Sequence, residues 1–182
     1  MVGLLIANGA DVNISDAHGS SPLLISCENG NTDMVRLLIE KGADANIYGE
    51  YGSSPLLTAC ENGHMDMVRL ILDNGAAVNI FNHFGQCPFL AACENDNDDI
   101  IQLLIQNGSD VNISGQCRRS PLLAACENSN DNIVRLLIEK GAEINVSDEC
   151  GRSPLLAACE NCNLDIVRFI IEQGADINAF DD

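Results

Sequence analysis

The nine residues SPLLAACEN occupy positions 120–128 and recur unchanged at positions 153–161. The two copies begin 33 residues apart, and the same interval separates all five prolines of the chain, Pro22, Pro55, Pro88, Pro121 and Pro154. A fixed period of this length is typical of a solenoid, in which each unit buries its apolar face against its neighbours. The sequence therefore predicts a stack of equivalent units.

Each unit predicts two helices and a finger. Ser153 followed by Pro154 is typical of a helix that begins with a serine cap and has proline in its first turn. After a polar turn, a second apolar helix ends before Gly174, as helices commonly do at a glycine. The following residues, ADINAF at positions 175–180, predict an extended segment that leads to the next unit.

These residues resemble the ankyrin-repeat pattern. Ser153-Pro154-Leu155-Leu156 is similar to the family's Thr-Pro-Leu-His, and Gly174-Ala175-Asp176-Ile177-Asn178 is similar to its Gly-Ala-Asp-Val-Asn. The resemblance implies an all-α solenoid, elongated and curved, of helix–turn–helix units with β-hairpin or loop fingers. It divides the chain into a partial N-terminal repeat at residues 1–15 and five full repeats, 16–48, 49–81, 82–114, 115–147 and 148–180, with the chain end included in a last segment of 148–182.

Two features depart from the family pattern. The histidine of the first helix is leucine in every full repeat, so the hydrogen bonds that it makes must be replaced or absent. Neither end carries a polar cap, since Val2, Leu4, Leu5 and Ile6 form a helix remnant without a partner and the chain closes just after a finger. Because solenoids need capped ends for solubility, we expect a longer array or self-association through the ends.

Composition restricts the class of partner. The chain has 27 acidic against nine basic residues and a net charge of −18, which repels nucleic acids and anionic membranes. Its apolar runs are too short for a signal peptide or a membrane span. Nine cysteines, an odd number without a signal peptide, predict free thiols in a reducing, intracellular and cytoplasmic setting.

No pattern predicts a cofactor, a metal site or a catalytic site. The five cysteines that follow the period, Cys27, Cys60, Cys93, Cys126 and Cys159, occupy a position where the family prefers alanine and are interpreted as small buried residues. His83, Cys87, Cys117 and Cys150 do not favour a zinc site, because stacked repeats hold them too far apart for tetrahedral coordination. The acidic turn ENDNDD, at residues 94–99, lacks the glycine and final glutamate of a calcium loop.

A glutamate recurs at the C-terminal end of every first helix, where the helix dipole disfavours negative charge. Recent duplication could have copied it passively, or it could form a selected acidic column on the concave face, where ankyrin domains commonly bind proteins. In the second case a basic partner would be steered to it. The column contains Glu28, Glu61, Glu94, Glu127 and Glu160.

Aromatic residues concentrate on two adjacent fingers, where Tyr48, Tyr51, Phe81 and Phe84 account for four of the seven aromatics in the chain. Exposed aromatic side chains are enriched at binding hot spots, and His83 lies among them. The alternative is that these rings pack together only to stiffen the fingers.

A basic island, Arg118-Arg119 with Arg152, interrupts the acidic sequence. Pairing with Asp148 and Glu149 is the simplest expectation for it, and the alternative is a site for a carboxylate or a phosphate. Arg118 also replaces a glycine that stands at this position in the other full repeats. An arginine there is expected to strain the backbone.

Together these features predict a non-enzymatic module that binds a protein or peptide of basic character through its fingers and its first-helix face. Two alternatives stay open. The chain could be a structural spacer array, or it could be part of a longer ankyrin protein, including the targeting part of a multidomain enzyme.

Overall fold

The computed structural model describes residues 11–178. Within this range the chain forms ten α-helices and no β-strand, which confirms the predicted all-α class. The helices are α1 (Pro22–Glu28), α2 (Thr32–Glu40), α3 (Pro55–Glu61), α4 (Met65–Asp73), α5 (Pro88–Glu94), α6 (Asp98–Gln106), α7 (Pro121–Glu127), α8 (Asp131–Glu139), α9 (Pro154–Glu160) and α10 (Leu164–Glu172). Each 33-residue segment from residue 16 onward contains one pair of them.

Serine hydroxyls begin most of the first helices, as the Ser-Pro pairs predict. Ser21 accepts a hydrogen bond from the Leu24 amide at 3.1 Å, and α3, α7 and α9 begin in the same way. Because proline lacks an amide hydrogen, its place at the first helical position leaves no donor unsatisfied. Cys87 takes the place of the serine before α5.

Asparagine begins most of the second helices. Asn31 accepts from the Met34 amide at 3.0 Å, and Asn97, Asn130 and Asn163 have the same role in later repeats. Asp165 lies inside the first turn of α10, where its charge suits the helix dipole. The glycine after each second helix adopts a positive φ, from 81° to 98°, which ends the helix in the left-handed region.

The chain divides into two compact units between Pro88 and Phe89. In the N-terminal unit, α1 packs on α3 and α2 packs on α4; in the C-terminal unit, α7 packs on α9 and α8 packs on α10. The leucines that replace the family's histidine contribute to these cores, since Leu24, Leu57, Leu90 and Leu123 are buried. A buried leucine side chain therefore stands where the family has a polar one, and its burial stabilises the fold.

The repeated cysteines are buried in four repeats, as predicted, but Cys159 is exposed. Helix α9 belongs to the last repeat of the described range, and no described helix packs on its outer side. The prediction of burial is therefore wrong for this one residue, because burial in a stack depends on the next layer.

The fingers are loops rather than hairpins. Short-range backbone bonds close each tip, for example from the Asp148 amide to the Arg152 carbonyl and from the Gly151 amide to the Asp148 carbonyl, each at 3.1 Å, and no longer ladder forms in residues 11–178. Successive fingers are connected by a few backbone bonds and by asparagine side chains. Asn46 bonds the Gly75 carbonyl at 3.0 Å and the Ala77 amide at 2.8 Å, and Asn13, Asn112 and Asn145 make equivalent bonds.

The asparagine of the Cys-Glu-Asn sequence also joins repeats. Asn128 donates to the Cys93 carbonyl at 2.9 Å, and Asn161 donates to the Glu127 carbonyl at 2.7 Å. These carbonyls lie at the ends of α5 and α7, where no amide within the helix can reach them. In the repeated Glu-Asn pair, the asparagine thus has a structural role, which is separate from any role of the glutamate.

Candidate functional site

Two kinds of turn shape the finger tips. Where the repeat begins with Asp or Asn, that side chain accepts two amides of the turn, as Asn82 does from Phe84 and Gln86, each at 2.9 Å. Where it begins with glycine, as at Gly49, no such bond is available, and two consecutive residues take positive φ, 59° at Tyr51 and 78° at Gly52. Consecutive left-handed residues are the geometry of a type I′ turn.

These turns bring two of the predicted aromatic residues together. The rings of Tyr51 and Phe84 have their centroids 5.4 Å apart and are inclined by 44°. The backbone fixes this contact, because the His83 amide donates to the Tyr51 carbonyl at 2.7 Å. Pairs of this geometry are favourable beyond the area that they bury.

The four aromatic residues remain open to solvent. Tyr48, Tyr51, Phe81 and Phe84 each expose between 46% and 54% of their surface, and His83 is exposed beside them. We call these four residues the aromatic fingers. The contact between Tyr51 and Phe84 stiffens the tips but leaves both rings accessible, so stiffening and binding are compatible.

A polar network borders the aromatic fingers. The Tyr51 hydroxyl is hydrogen-bonded to Glu50, which raises the pKa of Tyr51 above its usual value. Glu50 also lies 3.3 Å from Nδ1 of His18 on the preceding finger. No motif marks Glu50 or His18 in the sequence; the available signal is that Glu50 adjoins Tyr51 and that His18 lies one 33-residue period before Tyr51.

The recurring glutamates all end first helices, as predicted, but their surroundings differ. Arg119 contacts both Glu94, at 3.5 Å, and Glu127. Arg152 lies 2.7 Å from Glu127 and 3.1 Å from Glu160. The C-terminal unit therefore holds an alternating row of charges, Glu94, Arg119, Glu127, Arg152 and Glu160, which we call the charge ladder.

The expected pairing of the basic island with Asp148 and Glu149 is wrong for two of its arginines. The Asp148 carboxylate accepts backbone amides of its own finger, from Cys150 and Arg152, each at 2.9 Å, which fixes the turn. The arginine side chains reach the glutamates at the helix ends instead. Partial burial lowers the pKa of Arg152, but Glu127 and Glu160 outweigh it, so that the pKa lies above its usual value.

The N-terminal unit lacks the arginines of the charge ladder. The positions equivalent to Arg119 and Arg152 in this unit are Ser20, Ser53 and Gln86. Glu28 is exposed and forms no ion pair within residues 11–178. The glutamates that looked equivalent in sequence are therefore not equivalent in charge environment.

Comparison with known proteins now gives the family. A family model described as ankyrin repeats, in three copies, matches residues 1–82 and again residues 84–181. The chain belongs to the ankyrin-repeat family. No curated protein matches the sequence closely enough to count as a relative. Ankyrin repeats are generally protein–protein interaction modules and are typically non-catalytic.

The thiols of this ankyrin-repeat protein fall into two groups. Burial raises the pKa of Cys27 and of Cys126 to about 12, with the adjoining glutamates adding to the effect. Cys117 is exposed, yet loss of hydration and the charge of Glu149 raise its pKa above the usual value. The buried thiols thus stay protonated and act as small apolar side chains.

Within the described part of the ankyrin repeats, no three histidine, cysteine or carboxylate side chains are grouped so that they could hold a metal ion. None of the helices in that part is both long and apolar enough to cross a membrane. His83 and Cys87, two members of the zinc set considered from the sequence, differ in setting, since His83 is exposed and Cys87 is buried.

Proposed function

We propose that this ankyrin-repeat chain is a non-catalytic recognition module that binds a protein or peptide through its aromatic fingers, with His83 at their edge, and through the first-helix face. The observation that carries the proposal is the Tyr51–Phe84 pair, which is held by a backbone hydrogen bond yet leaves about half of the surface of each residue exposed. Rigid aromatic side chains lose little conformational entropy when a partner covers them.

The proposed partner has basic character. A net charge of −18 favours cationic surfaces and disfavours nucleic acids and anionic membranes. All five recurring glutamates belong to the proposed binding surface, but they contribute unequally to the electrostatic attraction of the partner. Because Arg119 and Arg152 offset the charge of Glu94, Glu127 and Glu160, we expect Glu28, which forms no ion pair with a described residue, to contribute more to electrostatic selection.

The free thiols favour a reducing, intracellular setting for this binding. None of the nine cysteines is bonded to another, and five of them are buried where oxidation would disrupt the core. We therefore propose that the partner is also intracellular.

The test compares partner capture by the wild-type chain and by Tyr51→Ser/Phe84→Ser from cell extract, at physiological and raised salt. A matched control is Cys117→Ser/Cys150→Ser, which places serine at the equivalent position of two later fingers. All three proteins should first show the same helical circular dichroism. We expect a defined protein to be retained by the wild type and the control and lost by the aromatic variant. Equal retention by all three would refute the aromatic fingers as the binding surface.

Self-association is a second candidate, favoured by apolar exposure in the last described repeat. Leu164, Ile171 and Ile177 expose between 43% and 67% of their surface. The N-terminal residues named in the sequence analysis, Val2, Leu4, Leu5 and Ile6, lie outside the described residues. Sedimentation velocity over a range of concentrations separates the candidates, because a spacer array should associate and Leu164→Ser/Ile171→Ser should reduce that association.

A further inference from the structure

Arg118 differs from its two basic neighbours in forming no ion pair with a described acidic residue. Arg119 and Arg152 each contact two glutamates of the charge ladder, whereas Arg118 forms no ion pair with any described residue. Its side chain is exposed on the finger of the fourth repeat. A guanidinium group offers five donors in a planar fork, which suits a carboxylate or another oxyanion.

The unpaired guanidinium lines a groove between two successive fingers. The groove has a volume of about 270 Å³, and its other polar walls come from Ser114, Ser120, Ser147 and Glu143. Asn112 ties the two fingers together through the Gly141 carbonyl at 3.0 Å and the Glu143 amide at 2.8 Å. The groove is therefore formed before any ligand arrives.

The position of the arginine is unfavourable for the backbone. Arg118 has a φ of 58°, and the equivalent residues of the other full repeats are Gly19, Gly52, Gly85 and Gly151, all with positive φ. A glycine would take this conformation without strain. No ion pair within the described residues offsets that strain, so no described ion pair of the Arg118 side chain stabilises the folded state.

We propose that this groove binds a carboxylate side chain of a protein partner, with Arg118 as the paired cation and the serine hydroxyls as further donors. Glu143, which also lines the groove, would repel a dianion more than a single negative charge, so a carboxylate fits better than a phosphate. The site lies in the C-terminal unit and binds an anionic group, whereas the acidic surface of the proposed function binds a basic one. It therefore stands or falls independently of the aromatic fingers.

The test uses sodium acetate as the probe and the full chain labelled with ¹⁵N. The side-chain Nε–Hε signals of the arginines are followed during titration, with sodium chloride at equal ionic strength as the reference. We expect a saturable shift of the Arg118 signal, while Arg36, exposed on α2 and without an ion pair among the described residues, serves as the internal control. Equal responses at Arg118 and Arg36 would overturn the proposal.

Two variants and a second probe make the test specific. In Arg118→Gly, which restores the residue of the other repeats, the response of the Ser147 amide to acetate should disappear. In Glu143→Gln, removal of the repelling charge should tighten acetate binding roughly threefold. A Ser147 response that persists without Arg118, or acetate binding unchanged in Glu143→Gln, would refute the groove. Tighter binding of inorganic phosphate than of acetate would refute the choice of a carboxylate.

Discussion

The guanidinium of Arg152 and the carboxylate of Glu127 lie 2.7 Å apart, on the finger of one repeat and at the helix end of the repeat before it. Glu127 also contacts Arg119, and its side chain is only 16% exposed, so two cations depend on one partly buried anion. Ion pairs at this level of exposure, when organised as a network, contribute more than isolated surface pairs.

Replacement of Glu127 by glutamine should therefore destabilise the chain by about 1 kcal/mol, measured as the free energy of unfolding in urea. The matched control is Glu28→Gln, at the same position of the first repeat, where no ion pair is present within the described residues and we expect a change below about 0.5 kcal/mol. Equal effects of the two substitutions would contradict the charge ladder as a source of stability.

His64 begins helix α4 at a position where four other second helices have asparagine. Its side chain makes no capping bond, whereas Asn31 at the start of α2 accepts an amide at 3.0 Å. His64→Asn should therefore stabilise the chain by about 0.5–1 kcal/mol, seen as a higher midpoint of thermal unfolding. The reverse change, Asn31→His, is the control and should lower the midpoint of thermal unfolding. If the midpoint rose in both variants, capping would not be the cause.

Arg118→Gly should raise stability by about 1 kcal/mol, because glycine adopts the positive φ of this position without steric strain. Urea unfolding measures the change. Gly151→Arg places the same residue at the equivalent site of the next repeat and should destabilise by a similar amount. If arginine were tolerated at position 151 without loss, backbone strain would not explain the first result.

Thiol reactivity should follow exposure. In the native chain, DTNB should react with four cysteines, Cys117, Cys150, Cys159 and Cys162, and the remaining five should react only after unfolding. Among the exposed four, Cys117 carries a raised pKa to which Glu149 contributes. Glu149→Gln should therefore increase its reaction rate at near-neutral pH, because more thiolate is present. No change in rate would contradict the electrostatic assignment.

Stability should fall at alkaline pH because of the buried thiols. The pKa of Cys27 is about 12 in the folded chain, and an unfolded thiol titrates near about 8.5. A folded pKa above the unfolded one gives stability that is complete below the unfolded pKa and is lost as pH rises toward the folded one. The free energy of unfolding should therefore decline between these two values. Cys27→Ala/Cys126→Ala should show a shallower decline; an unchanged slope would exclude thiol linkage.

Much of the fold could be predicted because it repeats local chemistry. The 33-residue period, the Ser-Pro starts and the glycine ends each act within one repeat, so they gave the helix pairs correctly. The same reasoning was wrong where burial or charge depends on a neighbouring layer. Cys159 is exposed although Cys126 is buried, and the Arg152 side chain reaches past Asp148 to the carboxylates of Glu127 and Glu160.

The helices, the family resemblance and the places where the repeat is broken can all be read from the amino-acid order, because periodicity and capping are properties of residues close together in the chain. Which of the irregular positions come into contact depends on how successive repeats pack. Residues one period apart, such as Tyr51 and Phe84, come within 5.4 Å only because the fingers are joined by backbone and asparagine hydrogen bonds. Likewise, equal glutamates acquired unequal electrostatic settings because arginines reach them from the next repeat in the C-terminal unit, while uncharged serine or glutamine stands at those positions in the N-terminal unit.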